Sequence, residues 1–167
     1  MENCRVLSVG YFAVGFNVKV EPKSSAGIFA DNTALNSILL RCQDGSSITS
    51  GEGAFGHWQA EAGCGYNKDG NPNFLTSFDL QVEPDQGAKD DSSANWIRFK
   101  CRDFDTENSH QLDVPPGKFY WGTYGSWSEA CPLHSAICGI QTRVEKERSS
   151  LYGNTALNDV ILFCCNE

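Results

Sequence analysis

Apolar and polar residues alternate in short blocks along the chain. Phe16-Asn17-Val18-Lys19-Val20 places an apolar side chain at every second position, and Ile97-Arg98-Phe99-Lys100 does the same. A period of two lines one face of a strand and predicts a half-buried β-strand at each place. The pattern recurs. Phe16-Asn17-Val18-Lys19-Val20-Glu21-Pro22 returns as Phe78-Asp79-Leu80-Gln81-Val82-Glu83-Pro84 and as Ile140-Gln141-Thr142-Arg143-Val144-Glu145-Lys146. After each comes a second block closed by a cysteine: Asp31 to Cys42, Asp90 to Cys101, and Gly153 to Cys164, with an asparagine (Asn36, Asn95, Asn158) at the same place in all three. A third block occurs twice, as Gly56-His57-Trp58 and as Trp121 to Trp127, each leading to a cysteine, Cys64 or Cys131. One repeat reads strand, Gly/Asp/Asn-rich loop, strand, Cys.

The Asp-Asn-Thr-Ala-Leu-Asn block could open a helix, because Asp or Thr before an apolar run resembles an N-cap. The run is short, it ends at a Cys, and Trp, Ile, Val and Phe favour strands. It is therefore read as a turn followed by a strand. Short strands, turn clusters and 16 glycines predict an all-β sandwich, barrel or prism. The 167 residues suit one domain, with repeats at approximately 4–52, 53–115 and 116–167.

Composition narrows the partners. Hydrophobic residues are 40% and charged residues 20% of the chain, enough for a folded core. The net charge is −8, and a phosphate-binding surface needs a basic face, so nucleic acid and an anionic membrane are poor partners. No apolar run reaches the ~18 residues of a membrane-spanning helix. Met1-Glu2-Asn3-Cys4 shows no basic and apolar leader; the expectation is a secreted protein whose sequence starts at its mature terminus with an added Met.

Eight cysteines are Cys4, Cys42, Cys64, Cys101, Cys131, Cys138, Cys164 and Cys165. The even number allows full pairing, in about 105 ways. Zinc sites favour close pairs such as C-x2-C, and none is present, so disulfides and an oxidising, extracellular compartment are expected. Equivalent places in the repeat suggest Cys4–Cys42, Cys64–Cys101 and Cys131–Cys164, which leaves Cys138 for Cys165; the neighbours Cys164 and Cys165 could exchange roles. Each long loop so closed contributes ~4 kcal/mol in the chain-entropy view.

The combination of Lys19-Val20-Glu21-Pro22, Asp31-Asn32-Thr33-Ala34-Leu35-Asn36, Trp121-Gly122-x-Tyr124-Gly125-x-Trp127-Ser128 and Phe163-Cys164-Cys165 resembles the vitelline membrane outer layer protein 1 family, over almost the entire chain. The resemblance implies a β-prism: three antiparallel sheets with internal pseudo-threefold symmetry, stapled by disulfides, around an apolar middle. It also implies a secreted component of an extracellular coat, and an association with chito-oligosaccharide transfer. The family carries a Trp-Gly-containing strand before its first Cys, where this sequence has Met1, Glu2 and Asn3. An incomplete or exposed sheet edge is expected there, unless another chain covers it. Loops such as Tyr66 to Asn73 and Phe104 to Pro116 are longer than expected; the second, with Asp105, Glu107 and Asp113, reads as solvated.

Several side chains are candidates for chemistry. Glu21, Glu83 and Glu145 could supply the two carboxylates that glycosidic chemistry needs, but a feature present in every repeat reads first as architecture. Asp31, Asn32, Asp90, Asp91 and Asn154 lack the dense oxygen alternation of calcium loops and read as turn caps. The three repeated asparagines lie within apolar strands, so their amides must find hydrogen bonds, tying a loop to the strand start. Phe119, Tyr120, Trp121, Tyr124 and Trp127 are the leading binding candidates, since sugar rings stack on aromatic faces; Trp121, Tyr124 and Trp127 with His57 and Trp58 form the predicted carbohydrate-binding set, against the competing reading that alternate members fill the core. His57, His110 and His134 share no metal spacing, and no metal or cofactor is expected. No nucleophile elbow, dinucleotide fingerprint or phosphate loop is present.

The leading functional expectation is a secreted structural or protective component of an extracellular coat, egg envelope or mucous secretion, with glycans or other coat proteins as partners and self-association as a further option. The alternative is a carbohydrate-binding protein with weak transglycosylation of N-acetylglucosamine oligomers; that is the reaction implied if the chain is an enzyme. No insertion into membranes and no nucleic-acid partner is expected.

Overall fold

The computed structural model describes residues 2–3, 11–21, 34–49, 51–82, 94–112, 122–144 and 157–167. These form an all-β structure of three antiparallel sheets, with no helix among the described residues. The first strand, β1 (Glu2–Asn3), joins the third sheet. The first sheet holds β2 (Ala13–Val20), β3 (Leu35–Cys42), β4 (Ser47–Thr49) and β5 (His57–Trp58), with β6 (Ala62–Gly63) also pairing β2. The second holds β7 (Phe74–Val82), β8 (Ala94–Arg102), β9 (His110–Leu112) and β10 (Thr123–Tyr124). The third is completed by β11 (Ser135–Val144) and β12 (Leu157–Asn166).

Each sheet is organised on one long hairpin: β2–β3, β7–β8 and β11–β12. These are the two repeated sequence blocks, and the cysteine-closed block is a strand in all three copies. The register slips at matching places. One irregularity lies at Ala13/Gly15, Leu75/Ser77 and Ile137/Gly139, and a second at Lys19/Val20, Gln81/Val82 and Arg143/Val144. Bulges add twist and bend a strand, so each hairpin curls around the shared core. Gly15 is required at the first of them. A Cβ there would lie 2.7 Å from the Ala62 carbonyl oxygen, too close for β6 to approach.

The period of two decides what is buried in β2 but not in β7, where Asp79 is buried while Phe78 and Leu80 are half-buried and Val82 is exposed. Phe16, Val18 and Val20 face inward and are fully buried, while Asn17 and Lys19 are half-exposed. Leu35, Ile38, Leu40, Ile97, Phe99, Ile137, Ile140 and Leu157 complete the same core, drawn from all three sheets. Phe16 and Phe99 meet across it with ring centroids 4.6 Å apart. Burying each such side chain contributes about 1.5–3 kcal/mol. A smaller cluster of Phe12, Phe74, Ala136 and Cys138, with Phe104 against it, lies apart from the main core.

The described disulfides are Cys64–Cys101, Cys131–Cys164 and Cys138–Cys165, as the repeat suggests. Cys42 is also disulfide-bonded; its predicted partner, Cys4, lies outside the described residues. The third sheet differs from the others along one edge. Glu2 pairs with Ile140 as Ala62 pairs with Phe16, so β1 stands where β6 does. β5 pairs with Lys19 and Val20, and β10 with Gln81 and Val82. On β11, no strand among the described residues takes that outer place beyond Ile140.

Two expectations need correction. Asn36 and Asn95 are fully buried, but Asn158 is exposed. Asn36 Nδ2 donates to the Ala34 carbonyl, while Gly53 N–H donates to the Asn36 carbonyl; the loop is thus tied to the strand start there. Nor is the segment after Phe104 simply a solvated loop. His110–Leu112 pairs with β8 as β9, and Phe104 packs on Phe12 and Phe74. Asp113 lies outside the described residues.

Candidate functional site

The aromatic set predicted to bind sugars divides between two sheet edges. β5 presents His57 and Trp58 beside Val20 and Lys19, both side chains exposed. Tyr124 and Trp127 follow β10 along the second sheet, both half-buried. Trp121, like Phe119 and Tyr120, lies outside the described residues, as do Glu83, Glu145 and the Asp/Asn turn set. Glu21 is described, and its N–H donates to the Ala34 carbonyl at the strand entry.

The segment carrying Tyr124 and Trp127 is zipped along β7. Gly125 N–H donates to the Leu80 carbonyl, Ser128 N–H to that of Phe78 and Cys131 N–H to that of Thr76. Gln81 Nε2 adds a bond to the Gly122 carbonyl. This brings both rings over the outward side chains of β8. The Arg98 guanidinium lies 4.0 Å from the Tyr124 ring centroid and 4.7 Å from that of Trp127, and Lys100 Nζ lies 4.4 Å from the Trp127 ring. Arg98 donates through Nε and Nη2 to one oxygen of Asp79, whose side chain is only 1% exposed. Burial pushes the Tyr124 hydroxyl up from its ordinary value; the Arg98 charge opposes that shift and Asp79 reinforces it. Cation–ring contacts of this kind are worth about 0.5–2 kcal/mol each. The aromatic faces here are engaged by the protein's own cations.

A second aromatic group was not visible in the sequence. Phe12, Phe74 and Phe104 pack together, with Phe74 and Phe104 stacked at 4.3 Å and Phe12 edge-on to Phe104 at 4.8 Å. They line a cleft of about 350 Å³ together with Asp103, Asp105 and Glu167. Three segments distant in sequence build it. Gln43 N–H donates to the Phe12 carbonyl. His134 N–H donates to the Phe104 carbonyl, and Glu167 N–H to the His134 carbonyl. The loop wall is held from behind by Arg102, only 4% exposed. Its guanidinium donates to the carbonyls of Asp103, Thr106, Cys131 and Pro132.

Asp103 is a fixed anion in this wall. It accepts from Asn67 Nδ2 and from the amides of Asp105 and Thr106, with the Thr106 hydroxyl adding a fourth bond. These bonds, led by that from Asn67, hold its carboxyl below the usual carboxylate range against the opposing effect of burial. Glu167 meets His134 Nδ1 at 3.2 Å. The only sequence signal for the cleft is a phenylalanine next to two aspartates in an inserted loop; its partners, Phe12 and Phe74, read as ordinary strand residues. Among the described residues no His, Cys, Asp or Glu group converges to hold a metal ion, and no helix is long and apolar enough to cross a membrane.

Comparison with known proteins matches the whole chain, residues 1–167, to the family model described as Vitelline membrane outer layer protein I (VOMI). A mouse (Mus musculus) protein named vitelline membrane outer layer protein 1 homolog is 41% identical over 162 residues, which span 93% of this chain and 72% of the relative. The human (Homo sapiens) protein of the same name is 38% identical over 162 residues, with the same coverage.

Proposed function

Because the chain belongs to the vitelline membrane outer layer protein I family, we propose that it is a secreted structural or protective component of an extracellular coat. The family description places such proteins in an egg-envelope layer. The observation that best supports the reading is covalent. Bridges spanning 37, 33 and 27 residues tie strand ends together around a compact apolar core. Such stapling restricts local opening, the step that exposes a chain to proteases, and a coat protein must persist outside the cell. The test is limited proteolysis of the native chain before and after reduction. Resistance that collapses on reduction is the expected result; equal digestion in both states would refute the reading.

Carbohydrate binding is the second reading, favoured by the exposure of Trp58 at the edge of the first sheet, 37% of its surface. His57 and Trp58 on this edge, and Tyr124 and Trp127 along the edge of the second sheet, would supply the rings. Titration with chitin-derived oligosaccharides, followed by tryptophan fluorescence and by product analysis, separates binding from glycosyl transfer. A saturable response lost in Trp58→Ala supports this reading, and no response in the native protein removes it.

A further inference from the structure

We propose that the phenylalanine cleft binds an organic cation on a compact apolar stem, of the aryl- or alkylammonium class, with the stem against Phe104, which Phe12 and Phe74 back, and the charge among Asp103, Asp105 and Glu167. The inference goes beyond a role in a coat and does not depend on it.

Four features of the cleft carry the argument. Its size, about 350 Å³, lies in the range of small-molecule sites. Its apolar wall is chiefly the half-buried Phe104, backed by Phe12 and Phe74, each only 3% exposed, and a cation beside an aromatic ring gains electrostatic energy that an uncharged guest of the same shape does not. Among the described residues, its charged lining is three carboxylates with no Lys or Arg. The neighbouring cation, Arg102, is turned to four backbone carbonyls behind the loop, so it offsets part of this charge without occupying the cleft.

The arrangement of the carboxylates selects the kind of cation. They do not converge on one point as a metal site requires. Spread along a partly aromatic wall, they match a diffuse, weakly hydrated organic cation better than a small divalent ion. Asp103 is pre-set for this. Its four hydrogen bonds fix the carboxylate before any guest arrives, so little ordering is needed on binding. The cleft is the inverse of the Arg98 cluster, where rings and cations are both supplied by the chain.

The test is an amide-resolved NMR titration of the full chain at pH 7.5 and low salt. The probe is 2-phenylethylammonium, with 2-phenylethanol and 3-phenylpropanoate as controls of matching shape. The expected result is saturable shifts confined to the amides around Phe12, 103–106 and Glu167, with the ammonium bound about tenfold more tightly than the alcohol and the carboxylate excluded. Asp105→Asn with Glu167→Gln removes two exposed charges and leaves the packed core untouched. It should weaken the ammonium about tenfold while leaving the alcohol unchanged. Equal affinity for ammonium and alcohol, shifts elsewhere on the surface, or no saturation in the native protein would each overturn the proposal.

Discussion

The Arg98 cluster and the phenylalanine cleft use the same ingredients, aromatic rings and charged side chains, with opposite results. Around Arg98 the rings of Tyr124 and Trp127 receive two cations from β8, and Asp79 neutralises one of them. Every group there has its counterpart within the chain, and the product is a fastened sheet edge. In the cleft, Phe104, backed by the buried Phe12 and Phe74, shares a concave wall with three carboxylates, and no Lys or Arg lies among the described lining residues. A closed set of interactions stabilises a fold, whereas an open set of the same chemistry is what a ligand can complete.

The sharpest way to break this comparison is to remove the support behind the cleft. Arg102→Met takes the guanidinium from the carbonyls of Asp103, Thr106, Cys131 and Pro132; Cys131 is buried and Asp103 half-buried, while Pro132 keeps its bonds from Ser135. A loss of about 3 kcal/mol is expected in urea unfolding, together with loss of the ordered 103–106 amides. Retention of both would show that the wall stands by itself. Next comes Asp79→Asn. The Asp79 side chain is buried, and Arg98 is 25% exposed, so the lost charge-assisted bond should cost about 2 kcal/mol, read by the same melt. Trp127→Leu keeps apolar area but removes the ring from two cations; about 1 kcal/mol is expected, and a change below a few tenths would reduce those contacts to mere proximity.

The smallest effect concerns acid. The folded Asp103 carboxyl is held below its unfolded value, near about 3.9, so the unfolded chain binds this proton more readily. The associated stability is fully present well above that pH and is lost as pH falls through the folded value. Asn67→Ala removes the largest cause of the shift. Its folded pKa should rise toward the ordinary value, so the variant loses less stability than the native protein between pH 5 and acid. The slope of stability against pH measures this, and identical slopes would show that the Asn67 bond has no hold on the carboxylate.

These regions also separate what could be read along the chain from what could not. The hairpins were legible because the alternation at Phe16-Val18-Val20 is local and because it recurs at Phe78 and Ile140. The bridge partners were legible because repetition gives cysteines equivalent addresses. The Asp79–Arg98 pair was not, since it depends on the register of β7 against β8, which a bulge at Leu75/Ser77 shifts by one residue. Tyr124 and Trp127 were singled out as aromatic, but alternation could not show that Arg98 and Lys100 would stand beneath them. Phe104 was misread because polarity dominates its segment; a single ring became a wall only where Phe12 and Phe74 arrived from other strands. Asn158 was misread by symmetry, which relates sequence positions but not their exposure.

The adjacent cysteines at the end of β12 carry a mechanical consequence. Cys164 and Cys165 are bonded to Cys131, just before the turn that leads into β11, and to Cys138, within β11 itself. Tension applied to that end of the strand therefore passes into two neighbouring covalent links and not into the hydrogen bonds with β11. Under load, peeling must start from the opposite end, at Leu157, and work back toward the clamp. Pulled along β12, such a module would yield in one direction only.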